Sequence, residues 1–162
     1  MDLYSGHIVD RYLIFSPCYK ENLVRRSLLS LQHNKSNISF LFTSGNNLDK
    51  EFKSVVDIAT IGNYNKLLVV NKNVVLDYDI LEILQRKDSL ITSAANVNIK
   101  KYVKKLNLSA CLFDSKIFHL LKDTNVDKTF TLYFNDYVEV DFVKCNYGFV
   151  ADYTVNFMYT EE

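Results

Sequence analysis

The sequence predicts a single α/β domain, residues 1–162, with three layers: a mixed central sheet flanked by helices, and antiparallel strands at its C-terminal end. Through position 121, short continuous apolar runs alternate with amphipathic stretches, the pattern of buried strands between helices. After position 129 the chain is rich in β-branched and aromatic residues with partial two-residue alternation, which is typical of antiparallel strands. A length of 162 residues fits one compact domain.

The first part of the chain predicts three strands and three helices. Pro17 stops the first apolar run, as expected where a strand enters a loop. The turn cluster Ser44-Gly45-Asn46-Asn47 ends the second. The predicted elements are strands at 12–16, 38–43 and 67–70, helices at 21–32 and 48–55, and a helix capped by Asp77 that carries Ile80, Leu81 and Leu84.

The second part predicts further alternation and then a meander. Segment 98–106 places Ile99, Val103 and Leu106 at helical spacing, with lysines on the remaining faces, and predicts a helix. In the meander, Asn135-Asp136 and the segment 146–148 are predicted turns. The other predicted elements are strands at 89–93 and 108–113 and a helix capped by Asp114.

Charge argues against a nucleic-acid partner. Nineteen Lys and Arg balance nineteen Asp and Glu, so the formal net charge is zero and no global field attracts a polyanion. The strongest local cluster is the set of four lysines between positions 100 and 105. It fits either a phosphate-binding patch or a solvated helix face, and the neutral domain favours the solvated face.

Three cysteines, Cys18, Cys111 and Cys145, are odd in number and far apart, which disfavours a disulfide framework and a zinc ribbon. Reduced thiols predict a cytoplasmic protein. The N-terminal residues lack the basic and apolar regions of a signal peptide, and no apolar run approaches the length of about 18 residues that a membrane span needs. We therefore expect neither.

Several segments share the order and spacing of one enzyme family's motifs. Segment 15–32 (FSPCYKENLVRRSLLSLQ) resembles the opening of the inverting nucleotide-sugar glycosyltransferases of the GT-A fold, where a strand ends in a P-x-Y-N-like loop before a helix. Segment 67–84 (LLVVNKNVVLDYDILEIL) resembles the family's buried strand, D-x-D element and following helix. Segments 112–118 and 130–136 are similar to its acceptor-side strand, helix and E-D motif.

This resemblance implies a GT-A-like fold and a nucleotide-sugar site. It assigns Asp136 as the catalytic base, which would take a proton from the acceptor hydroxyl. At the metal element it places Asn73, an amide where the family has a carboxylate, as the residue toward Mn²⁺ or Mg²⁺; Lys72 could partly supply the missing positive charge. The nucleotide-sugar-binding residues that it implies are Pro17, Tyr19, Thr43, Asn71, Lys72 and Asn73.

Two functions remain open at this point. The first is a divergent glycosyltransferase-like protein that binds a nucleotide sugar, either active or an inactive pseudoenzyme, because two expected carboxylates are replaced. The second is a non-enzymatic cytosolic binding or scaffold module, of a viral or phage accessory type, that binds a protein partner through its C-terminal strands. A cleft shared by residues 71–73 and Asp136 is expected only under the first.

Overall fold

The computed structural model describes residues 10–31, 36–151 and 154–158. Four helices and eleven strands alternate along these segments. The helices are α1 (Asn22–Leu29), α2 (Leu48–Ile61), α3 (Ile80–Gln85) and α4 (Phe118–Leu121), the last preceded by a 3-10 turn at Ser115–Ile117. The strands are β1 (Asp10–Ser16), β2 (Ser36–Phe42), β3 (Lys66–Val70), β4 (Val74–Leu76), β5 (Ile91–Ala95), β6 (Ile99–Asn107), β7 (Ala110–Asp114), β8 (Asn125–Val126), β9 (Thr131–Lys144), β10 (Tyr147–Ala151) and β11 (Thr154–Met158).

The central sheet is mixed, as the sequence predicts. Its strand order is β2-β1-β3-β7-β5-β9-β6, with β8 paired to β9. Strands β2, β1 and β3 are parallel neighbours, whereas β7 runs antiparallel to both β3 and β5. The parallel arrangement brings the carboxyl ends of β1, β2 and β3 to one edge of the sheet, where the loops that follow them meet.

Helices cover both faces of the sheet. Alternate residues of β1 project to opposite faces, so Leu13 and Phe15 pack with α2 and α4 while Tyr12 and Ile14 pack with α1 and α3. Each face has its own buried apolar cluster, and these two clusters hold the layers together. No helix in the described segments is long and apolar enough to cross a membrane.

The prediction of a helix at 98–106 is wrong, because these residues form strand β6. Ile99 and Val103 pair across the sheet with Phe142 and Val138 of β9, so two-residue alternation accounts for them as well as helical spacing does. Tertiary pairing decides between the two periods. Strand β6 is the last strand of the central sheet among the described residues, and its lysines therefore lie on a sheet edge.

The predicted turn at Asn135-Asp136 is also wrong, since both residues lie inside the continuous strand β9. The pairing with β6 shifts at this point: Val103 opposes Val138, and Lys105 opposes Tyr133. The β9 residues between these partners form a bulge, which absorbs turn-favouring residues without reversing the chain. Farther on, β10 and β11 are antiparallel and join β4 in a separate three-stranded sheet, so the predicted meander is divided between two sheets.

Helix starts and ends differ modestly from prediction. The helix predicted at 48–55 extends through Ile61. The helix after Asp77 begins at Ile80, with Asp79 at the capping position and the Asp77 carbonyl accepting from the Ile80 N–H. Asp114 does cap the turn before α4, since its carboxylate accepts from the Lys116 N–H at 2.9 Å.

Candidate functional site

A cavity of about 480 Å³ lies at the edge of the sheet where β1, β2 and β3 end. We call it the strand-end cleft. Loops after each of these strands line it, together with the β8–β9 loop on the far side. In open α/β sheets ligands bind at this carboxyl edge. The lining consists of Pro17, Gly45, Asn46, Asn47, Leu48, Asp49, Asn71, Lys72, Asn73, Val126, Asp127, Lys128, Thr129 and Phe130.

The loop after β2 is fixed by Glu51 in the first turns of α2. The Glu51 carboxylate accepts hydrogen bonds from the backbone N–H groups of Gly45 at 3.0 Å and Asn47 at 2.9 Å. Asn47 in turn caps α2, its side-chain oxygen accepting from the Lys50 N–H. Burial raises the pKa of Glu51, but the nearby Thr43 side chain and the backbone N–H groups of this loop outweigh burial, and the net pKa is lowered.

Gly45 allows two of the lining loops to approach each other closely. Its φ of +81° belongs to the left-handed region, and an added Cβ would lie 3.3 Å from the Pro17 carbonyl oxygen. Glycine adopts this conformation without the steric cost that a side chain brings. The loops after β1 and β2 therefore meet at this position, on the floor of the cleft.

The loop after β3 forms a tight turn. The Asn71 side-chain oxygen accepts from the Lys72 N–H at 2.7 Å, and the Asn71 carbonyl accepts from the Val74 N–H at 3.1 Å. Asparagine is common in turns because its short side chain hydrogen-bonds to nearby backbone groups. Lys72 and Asn73, at the tip, are exposed, so the turn presents an ammonium and an amide to the cleft.

Asp127 organises the opposite wall. Its carboxylate accepts from the Thr129 hydroxyl at 2.6 Å, from the N–H groups of Thr129 and Thr131, and from the Tyr133 hydroxyl at 2.9 Å. These hydrogen bonds lower the pKa of Asp127 to about 2, and the bond from the Thr129 hydroxyl contributes most. Its acceptor capacity is taken up within its own loop, so this carboxylate stabilises the wall.

Asp49, the other carboxylate in the lining, is also engaged. One oxygen accepts from the Val126 N–H at 2.9 Å and the other pairs with Lys53 at 3.1 Å. The hydrogen bond from Val126 is the main reason why the pKa of Asp49 is lowered. The contact joins α2 to β8 and thereby holds the two sides of the cleft together.

The cleft also has two lysines, whose surroundings differ from those of its carboxylates. Lys72 and Lys128 are exposed and line the same cavity, and within the described part of the chain neither forms an ion pair. The carboxylates are engaged by internal donors whereas the ammonium groups are not. The two ammonium groups are therefore available to pair with an anionic group of a ligand.

Four of the residues implied by the family resemblance line the cleft: Pro17, Asn71, Lys72 and Asn73. Thr43 lies just behind it and its backbone joins the neighbouring loops, its N–H donating to the Ser16 carbonyl and its carbonyl accepting from the Tyr19 N–H. The Tyr19 side chain is 59% exposed, with Arg25 packed on its ring, and is not among the lining residues.

Asp136 is not brought to the cleft. It is exposed on β9 and is not among the lining residues, of which Phe130 lies six positions earlier in the chain. The expected cleft shared by residues 71–73 and Asp136 is therefore not present.

The carboxylates that line the cleft are poor candidates for a divalent cation. Mn²⁺ and Mg²⁺ prefer carboxylate oxygens, but those of Asp49 and Asp127 already accept from protein donors. The Asn73 amide brings an oxygen without charge. Within the described ranges, no group of three or more His, Cys, Asp and Glu side chains is placed to hold a metal ion.

Sequence reasoning missed one side of the cleft. The residues after β2, 46–49, follow a predicted strand end and could have been found from the rule that ligands bind there. The residues at 126–130 carry no such signal. They reach the cleft only because Asp49 binds Val126 and because β8 pairs with β9.

Comparison with known proteins gives a fold neighbour. No family model and no curated protein matches the chain. The solved structure of A197 from STIV matches with a TM-score of 0.59 and 9% sequence identity, covering 96% of this chain and 95% of that one. At this identity the likeness concerns the fold alone. HddC from Yersinia pseudotuberculosis, at a TM-score of 0.33, 14% identity and coverage of 70% of this chain and 60% of that one, is too dissimilar to inform the fold.

Proposed function

We propose that the protein binds a nucleotide sugar, or a related nucleoside diphosphate, in the strand-end cleft of a GT-A-like fold. The observation that carries this proposal is the difference between the charged groups of the cleft. Lys72 and Lys128 line it and form no ion pair with any residue that the structure describes, whereas Asp49 and Asp127 are held by internal hydrogen bonds. A diphosphate carries anionic oxygens that can pair with both ammonium groups.

Backbone geometry supports the same ligand class. The first residues of α2, a helix of 14 residues, line the cleft, and the N-terminus of a helix carries partial positive charge and unpaired N–H groups. Asn46 and Asn73 add amide groups suited to sugar hydroxyls. The volume of about 480 Å³ lies within the range of small-molecule sites.

In this proposal binding does not require a metal, because the lysines supply the positive charge. Mn²⁺ or Mg²⁺ would find one uncharged oxygen ligand at Asn73 and would have to displace the partners of Asp49 or Asp127 to gain a carboxylate. Asp136 takes no part in binding. We therefore propose a nucleotide-sugar-binding pseudoenzyme in preference to an active transferase that uses Asp136 as its base.

A thermal-shift titration with UDP, GDP, ADP and their sugar conjugates, with and without Mn²⁺, tests the proposal. A ligand at 100 times its Kd stabilises the folded state by about 2.7 kcal/mol. We expect a shift with at least one nucleotide that is reduced in Lys72→Gln and in Lys128→Gln and kept in Lys87→Gln, an exposed lysine outside the lining. Absence of a shift with every nucleotide would overturn the proposal.

Pyrophosphate is the control ligand that tests whether the nucleoside is recognised. If it stabilises the protein as much as every nucleotide does, the cleft recognises only the diphosphate, and the nucleoside part of the proposal is wrong. A shift that appears only with Mn²⁺ would overturn metal-independent binding.

The C-terminal sheet supports a second candidate, a protein-binding module. Its order is β11-β10-β4, so β11 pairs with a neighbour on one side only among the described strands. An extended segment of a partner could add to that edge through backbone hydrogen bonds. Deletion of 154–162 would abolish capture of such a partner while leaving any nucleotide shift unchanged.

A further inference from the structure

A second cavity, an open groove of about 350 Å³, lies between the end of β5 and strand β6. We call it the β6 groove. Two lysines, Lys101 and Lys105, line it, and no Asp or Glu does. The lining consists of Ser93, Ala94, Ala95, Asn96, Lys101, Val103, Lys105, Leu106, Asn107, Ser109, Phe142 and Tyr147.

The acidic residues of this part of the sheet lie on the other face. Directly opposed residues of antiparallel strands project to the same side. Lys100 and Tyr102 oppose Asp141 and Glu139 of β9, so these carboxylates share the face of Lys100. Lys101 and Val103 oppose apolar residues, Val140 and Val138 respectively.

The lysines of β6 are thus of two kinds. An exposed edge strand gains protection from unwanted pairing when it carries lysines on either face, and this accounts for a basic β6 in general. It does not account for the segregation of the carboxylates. Among the described residues, neither Lys101 nor Lys105 forms an ion pair, and together they leave the groove with uncompensated positive charge.

Aromatic surface adjoins that charge. The Lys101 ammonium lies 5.6 Å from the centre of the Phe142 ring, and Tyr147 contributes to the same lining. An anionic group paired with Lys101 would therefore lie close to a ring on which an apolar or planar part of the same ligand could pack. The groove offers charge and apolar contact at neighbouring points.

We propose that the β6 groove binds a small anionic molecule, a phosphate monoester or a carboxylic acid whose anionic group is attached to a ring, through Lys101 and Lys105. The site is distinct from the strand-end cleft but adjoins it. Asn71 lines the cleft, Ser109 lines the groove, and the Asn71 N–H donates to the Ser109 carbonyl at 3.0 Å. One hydrogen-bonded wall separates the two, so a ligand in the groove would lie beside a bound nucleotide sugar, a consequence that rests on the proposed function.

Calorimetric titration with phenyl phosphate, alongside NMR amide shifts, tests the proposal. We expect binding that shifts the amides of Lys101, Asn107 and Ser109. In the double variant Lys101→Gln/Lys105→Gln the affinity should fall about tenfold or more, because the charge-assisted hydrogen bonds to the anion are lost. The matched control is Lys100→Gln/Lys104→Gln, which removes the same charge from the same strand and should retain binding.

Four outcomes overturn the proposal. The first is that phenyl phosphate does not bind, and the second is that both double variants lose the same affinity for it. The third is that the amide shifts are confined to the strand-end cleft. The fourth is that a single-stranded oligothymidylate binds more tightly than phenyl phosphate and needs all four lysines. The last would identify a nucleic-acid surface instead. Inorganic phosphate separates simple anion binding from recognition of the ring: the proposal requires phenyl phosphate to bind more tightly.

Lys72→Gln keeps this test independent of the proposed function. It should weaken UDP binding and leave phenyl phosphate binding unchanged. If UDP binds nowhere while phenyl phosphate binds the groove, the proposed function fails and the groove stands. If UDP binds the cleft and phenyl phosphate does not bind the groove, the proposed function stands and the groove proposal fails. Circular dichroism of each variant establishes that loss of binding is not loss of folding.

Discussion

The backbone N–H of Val126 donates a hydrogen bond of 2.9 Å to the carboxylate of Asp49, 77 positions earlier in the chain. This hydrogen bond joins the short strand β8 to the first turn of α2, beside the apolar cluster that Val126 shares with residues of α2. Val126 is buried, with 7% of its surface exposed, so water cannot readily replace the acceptor. The far wall of the strand-end cleft depends on it.

Replacement of Asp49 by alanine should therefore destabilise the protein. An unsatisfied buried N–H costs about 1–3 kcal/mol, and we expect a loss of about 1–2 kcal/mol in the free energy of unfolding, measured by urea denaturation. Asp49→Asn retains an oxygen acceptor and should therefore lose much less of the free energy of unfolding than Asp49→Ala does. Lys53→Gln removes only the exposed ion pair and should cost less than about 0.5 kcal/mol; an equal loss in Lys53→Gln and Asp49→Ala would refute the role of Val126.

Asp127 should make the free energy of unfolding depend on pH in the acidic range. Its pKa is lowered to about 2 in the folded protein, mainly by the Thr129 hydroxyl, against about 3.9 for an unfolded chain. The stabilisation is fully present above about pH 4 and is lost as pH falls toward about 2. Comparison of urea midpoints of the wild type and Asp127→Asn from pH 6 to pH 2 should show a difference that narrows on acidification; a constant difference would contradict this assignment.

Tyr133 should report the same hydrogen bond. Its hydroxyl donates to Asp127, and this bond is the first cause of the raised pKa of Tyr133. In Asp127→Asn the pKa of Tyr133 should fall toward its ordinary value of about 10. NMR titration of ring-labelled tyrosine, with Tyr133→Phe to identify the resonance, measures the change, and an unaltered pKa would mean that the hydrogen bond does not form in solution.

The three thiols should resist alkylation in the folded protein. Burial raises the pKa of Cys111 to about 12 and of Cys145 to about 11, and it also raises the pKa of Cys18. Because the thiolate is the reactive species, iodoacetamide at pH 8 should modify none of them until urea is added. Mass spectrometry of tryptic peptides checks this, and rapid native modification at any of the three would show that its surroundings open.

Gly45→Ala should both destabilise the protein and disturb the cleft. The residue has φ +81° and its added Cβ would lie 3.3 Å from the Pro17 carbonyl oxygen. A left-handed conformation costs an ordinary residue about 1–2 kcal/mol, and the close contact adds to it. Gly45→Asn, which tolerates this φ better, should lose less of the free energy of unfolding; the opposite order would show that the contact with Pro17, and not φ, sets the cost.

Asp136→Asn should leave both folding and nucleotide binding unchanged. The residue is exposed within the β9 bulge, and exposed substitutions usually alter stability by less than about 0.5 kcal/mol. The thermal shift with nucleotide is the measurement. A lost shift in this variant, with folding intact, would place Asp136 at the ligand and restore its catalytic assignment.

Strands β1 and β3 were predictable because each is buried on both faces and is therefore apolar along most of its length. Leu67 and Leu68 both lie in the core, on opposite faces of β3, which is why an uninterrupted apolar run identifies the strand. Strand β6 was not predictable in this way. Its exposed lysines mask the alternation of Ile99 and Val103, and only pairing with β9 selects the extended form.

The sequence by itself determined the α/β class and the positions of β1, β2 and β3, because these depend on local apolar patterning and turn chemistry. The loop residues Pro17, Asn71, Lys72 and Asn73 were indicated by the family resemblance. The tertiary structure alone decided what lies opposite them. Lys128 faces Lys72 across a cavity because Asp49 binds Val126, and Asp136 lies elsewhere because β9 continues through it. Contacts between distant residues form from packing and long-range pairing, for which the spacing of residues along the chain carries no signal.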